Sequence, residues 1–356
     1  MTSPFPGVPA GTALGVAIVV GAMGVLFLLA RAARRGAARE QRNRAAELFR
    51  LLTGRLAGTV SVRELREAAR DSQSEPFWGA VEALGATLRS RERLALARAL
   101  ERSRHLVVER DVLRRDDSPP RREQAARRLG LLPAKRSRRL LRRVLATGPE
   151  PLRFAAARSL AAHRDLASLG WLLGHPQALE TRPARAHSGL FRSFGPRGRA
   201  LLVAALDRGG LPLAVETGLL DALGVTRCLS ARGAIEARLR SEHVDARVAA
   251  ARALGRLGMG EAIPALMLAL ADDAWPVRAQ SACALGRLRA APAVELLAEL
   301  VGDRAWWVRH HAAYALAGLG AEGHDALCEL IARSPDPFAR EMAREALDRG
   351  LQRRSA

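Results

Sequence analysis

The sequence has few aromatic residues, and this scarcity narrows the fold class. Aromatic side chains make up 4% of its 356 residues, and Tyr314 is the one tyrosine. Strands are usually rich in aromatic and β-branched residues, whereas helix-favouring Ala, Leu, Arg and Glu dominate this chain. We therefore predict an all-α protein.

Cysteine is also scarce, which argues against a disulfide framework or a metal cage. The three cysteines, Cys228, Cys283 and Cys328, are far apart and form no C-x-x-C pair. Each lies in an apolar helical stretch, so we expect buried, reduced thiols. We predict no metal and no cofactor.

Recognisable catalytic motifs are missing from the sequence. The one lysine, Lys135, lies in PAKRS without the glycines of a phosphate-binding loop. His310 and His311 are adjacent, and adjacent helical residues point about 100° apart, so they are interpreted as ordinary helix residues. We predict no catalytic residue, and we expect that the protein is not an enzyme.

One long apolar run stands near the start of the chain. Residues 8–30 contain no charged side chain and, as a helix rising about 1.5 Å per residue, can cross a hydrocarbon layer of about 30 Å. No basic residue precedes the run. It is followed at once by basic residues, of which the first four are Arg31, Arg34, Arg35 and Arg39.

This charge asymmetry predicts the orientation of the run in a membrane. Basic residues favour the cytoplasmic side, which leaves residues 1–7 outside and the body of the protein in the cytoplasm, anchored by a single pass through the inner membrane. A cleavable signal peptide is the alternative, but it would need a basic segment before the apolar run.

Basic charge is concentrated just after this run. The chain carries a net charge of +21, and residues 31–143 hold 30 basic and 14 acidic side chains. Such a block favours a polyanionic neighbour, namely anionic lipid headgroups, an acidic protein or nucleic acid. Because this basic block lies beside the predicted membrane segment, nucleic acid is the least favoured of these three partners. Residues 31–75 are predicted to be a basic juxtamembrane helix followed by a polar connector over 59–74, and the arginines can also act simply as the topology signal.

A period of 31 residues organises the remaining sequence. DDAWPVRAQSACALGRL at 272–288 returns as DRAWWVRHHAAYALAGL at 303–319. The arginine of this string recurs at the same step, at Arg247, Arg278, Arg309 and Arg340. Weaker copies upstream extend the pattern to about eight units over 76–350, which leaves 351–356 as a tail.

Each unit is predicted to be a helical hairpin. Val277 and Leu285 lie on one stripe of a first helix, which the segment Arg289–Pro292 ends, and a second stripe starts at Val294. Asp303 is the expected N-cap of the next helix. A hairpin of this size cannot bury its own apolar face, so neighbours must stack into an α-solenoid.

The repeated string resembles the HEAT-like repeat, particularly the short form named after phycobilisome lyases. The resemblance is strong over about 215–350, moderate over 118–165 and poor over 166–214. It implies a structural role for the recurring arginine, which bonds to acids of neighbouring turns and would form a ladder through Arg247, Arg278, Arg309 and Arg340. HEAT-like di-iron hydroxylases carry His-Glu pairs, but none of the eight histidines here precedes a Glu.

Two sets of side chains are candidates for binding a partner. Trp275 and Trp306 occupy the same slot of neighbouring units, with Trp307 beside them; these rings either cover the seam between units, which we favour, or form a peptide-binding surface. The second set lies on one predicted helix and consists of Arg138, Arg139, Arg142 and Arg143. These arginines form either a solvated face or a surface for phosphates or acids.

Three functions remain open from the sequence. The leading hypothesis is a membrane-anchored cytoplasmic scaffold that binds a membrane-associated protein. The resemblance also implies a phycobilin lyase as an alternative, and the basic block over 31–143 keeps nucleic-acid binding as a third. The oligomeric state is not predicted.

Overall fold

The computed structural model describes residues 38–85, 87–179 and 181–355. Within these ranges the chain forms twenty α-helices and no strand, which confirms the all-α prediction. The helices are α1 (38–57), α2 (Val62–Asp71), α3 (Ser74–Gly85), α4 (Ser90–Leu100), α5 (Arg104–Arg115), α6 (Pro119–Leu131), α7 (Lys135–Thr147), α8 (Leu152–Ala162), α9 (Leu166–Gly174), α10 (Ala184–Ser193), α11 (Arg199–Arg208), α12 (Leu213–Val225), α13 (Arg232–Ala237), α14 (Val244–Leu257), α15 (Ile263–Leu268), α16 (Trp275–Leu288), α17 (Val294–Leu300), α18 (Trp306–Ala317), α19 (Ala321–Arg333) and α20 (Pro337–Ser355).

The predicted membrane segment lies outside the described residues. This applies to residues 1–30 and to Arg31, Arg34 and Arg35, whereas Arg39 lies exposed on α1. Among the helices that are described, none combines the length and the apolar composition needed to cross a bilayer.

The described part of the chain divides into two compact units at the boundary between Leu141 and Arg142, which falls within α7. In the first unit Phe77 and Trp78 are almost fully buried. His105 stacks on Phe77 with ring centroids 4.1 Å apart, and burial lowers the pKa of its imidazole. The Arg128 guanidinium lies 5.7 Å from the Trp78 ring and donates to Glu109 at 2.9 Å. A buried cation is thus held by an aromatic face and a carboxylate, which offsets its desolvation.

The first unit also differs from the prediction of a polar connector over 59–74. Residues Val62–Asp71 form the regular helix α2, which starts with a capping box between Ser61 and Glu64. Leu65 and Ala69 are 1% exposed. The polar composition of this segment belongs to its solvent face, while two apolar residues four apart hold the helix against the core.

The second unit is a serial stack of helical hairpins. From α8 to α20, each even-numbered helix packs against the next even-numbered helix, and the intervening odd-numbered helices complete the hairpins. This is the arrangement of an α-solenoid, in which each hairpin buries its apolar face against its neighbours. Short 3-10 turns, such as Ala291–Ala293, lead into the second helices of several hairpins.

Close helix contacts explain the strict period in this unit. The helices α12, α14, α16, α18 and α20 begin at positions 213, 244, 275, 306 and 337, which keeps the step of the sequence repeat unchanged. A Cβ atom placed on Gly255 would lie 2.8 Å from the Cα atom of Ala284, and one on Gly286 would lie 2.9 Å from that of Ala315. Glycine on one helix and alanine on the next therefore set the spacing between hairpins.

Two local expectations are corrected by the structure. Asp303 is not the N-cap of α18, which begins at Trp306 with Ala305 as its cap; the Asp303 carboxylate accepts a hydrogen bond from the Ala305 N–H instead. Of the cysteines, Cys228 is buried, Cys283 is half-buried and Cys328 is exposed, because the apolar stretch around it lies partly on the outer face of α19.

Candidate interaction surface

The repeated arginine forms the joints between hairpins in the second unit. Arg247 donates to Asp272 through Nε at 2.8 Å and Nη2 at 2.9 Å, and Arg278 contacts Asp303 in the same way at 2.8 and 3.0 Å. The Nη1 of Arg278 donates to the carbonyl oxygens of Asp272 and Asp273 at 2.7 and 2.9 Å. Each arginine thus ties the loop before its hairpin to the loop after it.

The carboxylates of these joints are held in the ionised form. Burial alone would raise the pKa of Asp272 and Asp303, but hydrogen bonds from Arg247 and Arg278, donation by backbone N–H groups and the nearby positive charges bring each pKa below its ordinary value. A bidentate pair of this kind is geometrically specific, so it fixes the register of neighbouring loops.

The ladder of carboxylates ends at Arg309. The position equivalent to Asp272 and Asp303 in the next loop holds Ser334. The Arg309 guanidinium keeps its contacts to the carbonyls of Asp303 and Arg304 but, within the described residues, its Nε is buried without a hydrogen-bond partner. The Phe338 ring lies 5.7 Å from this guanidinium. Arg340 likewise donates to the backbone, to the Ser334 carbonyl at 2.6 Å.

Four exposed aromatic residues lie where hairpins of the second unit begin. Trp275 and Trp306, the first residues of α16 and α18, are each 46% exposed, Trp307 is 51% exposed and Phe338 is 62% exposed. We call Trp275, Trp306, Trp307 and Phe338 the aromatic edge. Phe338 was missed from the sequence, although it lies one repeat of 31 residues after Trp307, because Pro337 replaces the tryptophan of the Trp275 and Trp306 position in that unit.

The ring contacts of Trp306 and Trp307 are made within their own helix. The two rings meet edge to face at 4.7 Å, Trp306 lies 5.0 Å from His310, and Trp307 lies 6.0 Å from His311. His310 in turn stacks on Tyr314 at 4.2 Å. Burial lowers the pKa of both histidines, so they are neutral at neutral pH. These rings form one cluster along α18 that leaves half of each tryptophan open to solvent.

The four arginines predicted on α7 do not form one equivalent set. Arg142 donates to Asp165 through Nε at 2.7 Å, and this hydrogen bond is the main cause that raises the pKa of its guanidinium. Arg138 is half-buried, and Arg139 and Arg143 are exposed. Arg142 is therefore committed to an ion pair, while Arg139 and Arg143 point into solvent.

The repeats of the second unit match a known family. Residues 231–317 and 263–348 fit the model of HEAT repeats, which confirms the predicted resemblance for this part of the chain. No curated protein sequence matches the chain significantly.

Several solved structures are similar to the chain at low identity. The match to an engineered protein has 20% sequence identity and a TM-score of 0.41, and it covers 86% of this chain and 99% of the engineered protein. Human deoxyhypusine hydroxylase in complex with glycerol is 18% identical, covering 89% and 99%, with a TM-score of 0.30. The complex of CpcE and CpcF of phycocyanin lyase from Nostoc sp. PCC7120 is 20% identical, covering 82% and 94%, with a TM-score of 0.26. Because all three TM-scores are below 0.5, no function is inferred from them.

Proposed function

We propose that this chain is a scaffold whose HEAT repeats bind a protein partner through the aromatic edge. The observation that supports this proposal is the half-exposed state of Trp275, Trp306 and Trp307 at the starts of successive hairpins. Large rigid rings lose little conformational entropy on binding and are enriched among residues that dominate interface energies.

The exposure of these rings favours partner binding over the covering of a seam. A tryptophan that seals two hairpins should be mostly buried by the neighbouring hairpin, but Trp275 and Trp306 are each 46% exposed and Trp307 is 51% exposed. If a partner covers about 100 Å² of each ring, apolar burial contributes about 2–3 kcal/mol per ring. Two or three such rings are enough to anchor an interface.

The segment 8–30 adds the second part of the proposal, which is attachment to the inner membrane. Its uncharged composition and the arginines that follow support a single pass with the repeats in the cytoplasm. Attachment would raise the effective concentration of the repeats near a membrane-associated partner. A variant that lacks residues 8–30 should move from the carbonate-washed membrane pellet to the soluble fraction; full-length protein found in the soluble fraction contradicts this part.

The aromatic edge is tested by crosslinking in membranes followed by mass spectrometry. We expect the Trp275→Ala/Trp306→Ala variant to lose the partner crosslinks of the wild-type chain while its melting temperature stays nearly the same. The matched control is Leu229→Ala/Leu268→Ala, which removes two exposed leucines, 54% and 74% exposed, away from the edge. A lower melting temperature with unchanged crosslinks would instead show that the tryptophans cover seams.

A further inference from the structure

A groove on the second unit lies between α17 and α19, the second helices of two successive hairpins. It has a volume of about 510 Å³, and its floor is apolar, formed by Val294, Ala298, Ala326 and Leu330. Its rim consists of five exposed carboxylates, Glu295, Glu299, Glu322, Asp325 and Glu329. We call this feature the acidic groove.

The negative charge of the acidic groove stands out against the composition of the chain. The protein carries +21 overall, yet α17 has no basic residue and α19 has no Lys or Arg before Arg333. Arg333 pairs with Glu329 at 2.9 Å. The other four rim carboxylates make no ion pair within the described part of the chain, so their charge is directed to solvent.

A second groove, between α13 and α15, shows that acidity is not a general property of these helix pairs. It has a volume of about 480 Å³, and its lining includes Glu236, Arg240 and Asp272. Glu236 accepts from Arg232 at 2.8 Å, and Asp272 is held by Arg247. The acids of this groove are therefore neutralised by the protein's own arginines, whereas those of the acidic groove are left for another molecule.

The floor of the acidic groove has the spacing of a helix-packing surface. Val294 and Ala298 are four residues apart on α17, and Ala326 and Leu330 are four apart on α19. Side chains at this spacing form ridges into which a third helix can pack, and two alanines allow a close approach. With about 1.5 Å per residue, α19 is about 20 Å long, which suits an occupant of nearly four turns at about 5.4 Å per turn.

From the apolar floor and the charge of the rim we infer that the acidic groove binds a basic amphipathic helix of a protein partner. The apolar stripe of that helix would contact the floor, and Arg or Lys side chains on both flanks would reach the rim carboxylates. This binding mode is a helix laid into a groove, with charge complementarity selecting the partner and the orientation. The site is separate from the aromatic edge, so it extends the proposed scaffold function by naming the chemistry of a second contact.

Binding of a designed peptide to the full-length chain tests this inference. The chain is placed in zwitterionic nanodiscs, empty nanodiscs serve as the blank, and anisotropy reports binding of a labelled peptide of about 18 residues with Leu on one helical face and Arg on the flanks. We expect saturable binding that weakens as salt rises, because exposed charge pairs are screened. The triple variant Glu295→Gln/Glu322→Gln/Asp325→Asn should raise the Kd about tenfold.

Matched variants distinguish binding in the acidic groove from attraction of the peptide by exposed carboxylates elsewhere on the protein. Glu242→Gln/Glu261→Gln/Glu341→Gln removes three exposed carboxylates outside the groove and should leave the Kd nearly unchanged. Ala326→Leu keeps all charges but places a larger side chain in the groove, where it occupies space that the peptide needs. It should weaken binding about as much as the acidic triple variant. The Trp275→Ala/Trp306→Ala variant should bind the peptide like wild type, so a failure of the aromatic edge and a failure of this inference are distinguishable.

Three results would overturn the inference. The first is equal binding of a peptide with the same composition whose leucines are scattered around the helix. The second is equal binding of the peptide in which Glu replaces Arg. The third is an effect of the control triple variant as large as that of the groove variant, which would reduce the contact to unspecific attraction of charge.

Discussion

Residues 213–348 and residues 142–212 of the second unit contain the same kind of hairpin, but the hairpins are joined by different contacts. In the later region the same contacts recur at the constant step of the repeat, with Arg247 and Asp272 followed by Arg278 and Asp303. In the earlier region the joints are individual. Buried His187, for example, has its ring nitrogens 2.9 Å from the Ala214 carbonyl oxygen and 2.7 Å from that of Leu179.

Other joints of the earlier region again use different residues. Arg182 donates to both carboxylate oxygens of Glu150 at 2.8 Å, and Arg142 pairs with Asp165. Stacked hairpins therefore need a polar connection between distant loops, but not the same one each time. A repeated connection leaves a visible period in the sequence, and a set of individual connections leaves none.

Removing one of the repeated joints should cost more stability than any other change considered for the second unit. Asp303→Ala removes the partner of Arg278 in a site where the two side chains are 8% and 12% exposed. We expect a loss of about 2–3 kcal/mol in the local free energy of unfolding, because a mostly buried guanidinium is left without its counter-ion. Hydrogen exchange of the backbone amides of α16 and α18 measures this loss in the local free energy of unfolding.

The control for this prediction is Asp273→Ala, which removes an exposed carboxylate next to Asp272, in the loop equivalent to that of Asp303. It should change the local free energy of unfolding by less than about 0.5 kcal/mol. Equal effects of the two variants would mean that the ladder does not join the hairpins.

A smaller effect is expected from filling one of the close helix contacts. Gly255→Ala puts a methyl group 2.8 Å from both the Cα and the Cβ atoms of Ala284, so α14 and α16 must move apart. We expect a destabilisation of about 1–2 kcal/mol in urea unfolding. Gly233→Ala on α13 is the control, since a Cβ there meets nothing within 4 Å and the higher helix propensity of alanine should make it neutral or stabilising. A Gly255→Ala variant as stable as wild type would show that these contacts do not set the spacing.

A modest gain in stability is expected when the ladder of carboxylates is extended by one unit. Ser334→Asp supplies a carboxylate at the position that Asp272 and Asp303 occupy in earlier units, within reach of Arg309. We expect a gain of about 0.5–1 kcal/mol in the stability of α18 and α20, measured by hydrogen exchange.

Two further variants make this prediction specific. Ser334→Asn has a similar shape without the charge and should give little gain. In an Arg309→Lys background the benefit of Ser334→Asp should shrink, because lysine cannot form the bidentate pair. If Ser334→Asp stabilises both backgrounds equally, the gain comes from elsewhere in the loop.

The sequence was most informative where the same residue types return at the same place in successive units. The helical class, the constant step between units and the HEAT resemblance over 231–348 follow from repetition itself. It was less informative for α2, whose two buried apolar residues lie in a polar segment, and for Arg142, whose ion pair with Asp165 separates it from its neighbours on α7. The predictions for the membrane segment and the partner stay predictions.

The helical class of this chain, the constant step of its later hairpins and the arginine that recurs at this step from Arg247 onward can all be read from the amino-acid sequence alone. Three features required the folded arrangement: among the described residues the Arg309 Nε has no hydrogen-bond partner, the aromatic edge is open to solvent, and Glu295 and Glu322 line one groove. The physical reason is that exposure and charge neutralisation depend on side chains from the neighbouring hairpin, which are distant in sequence and identical in type to many others.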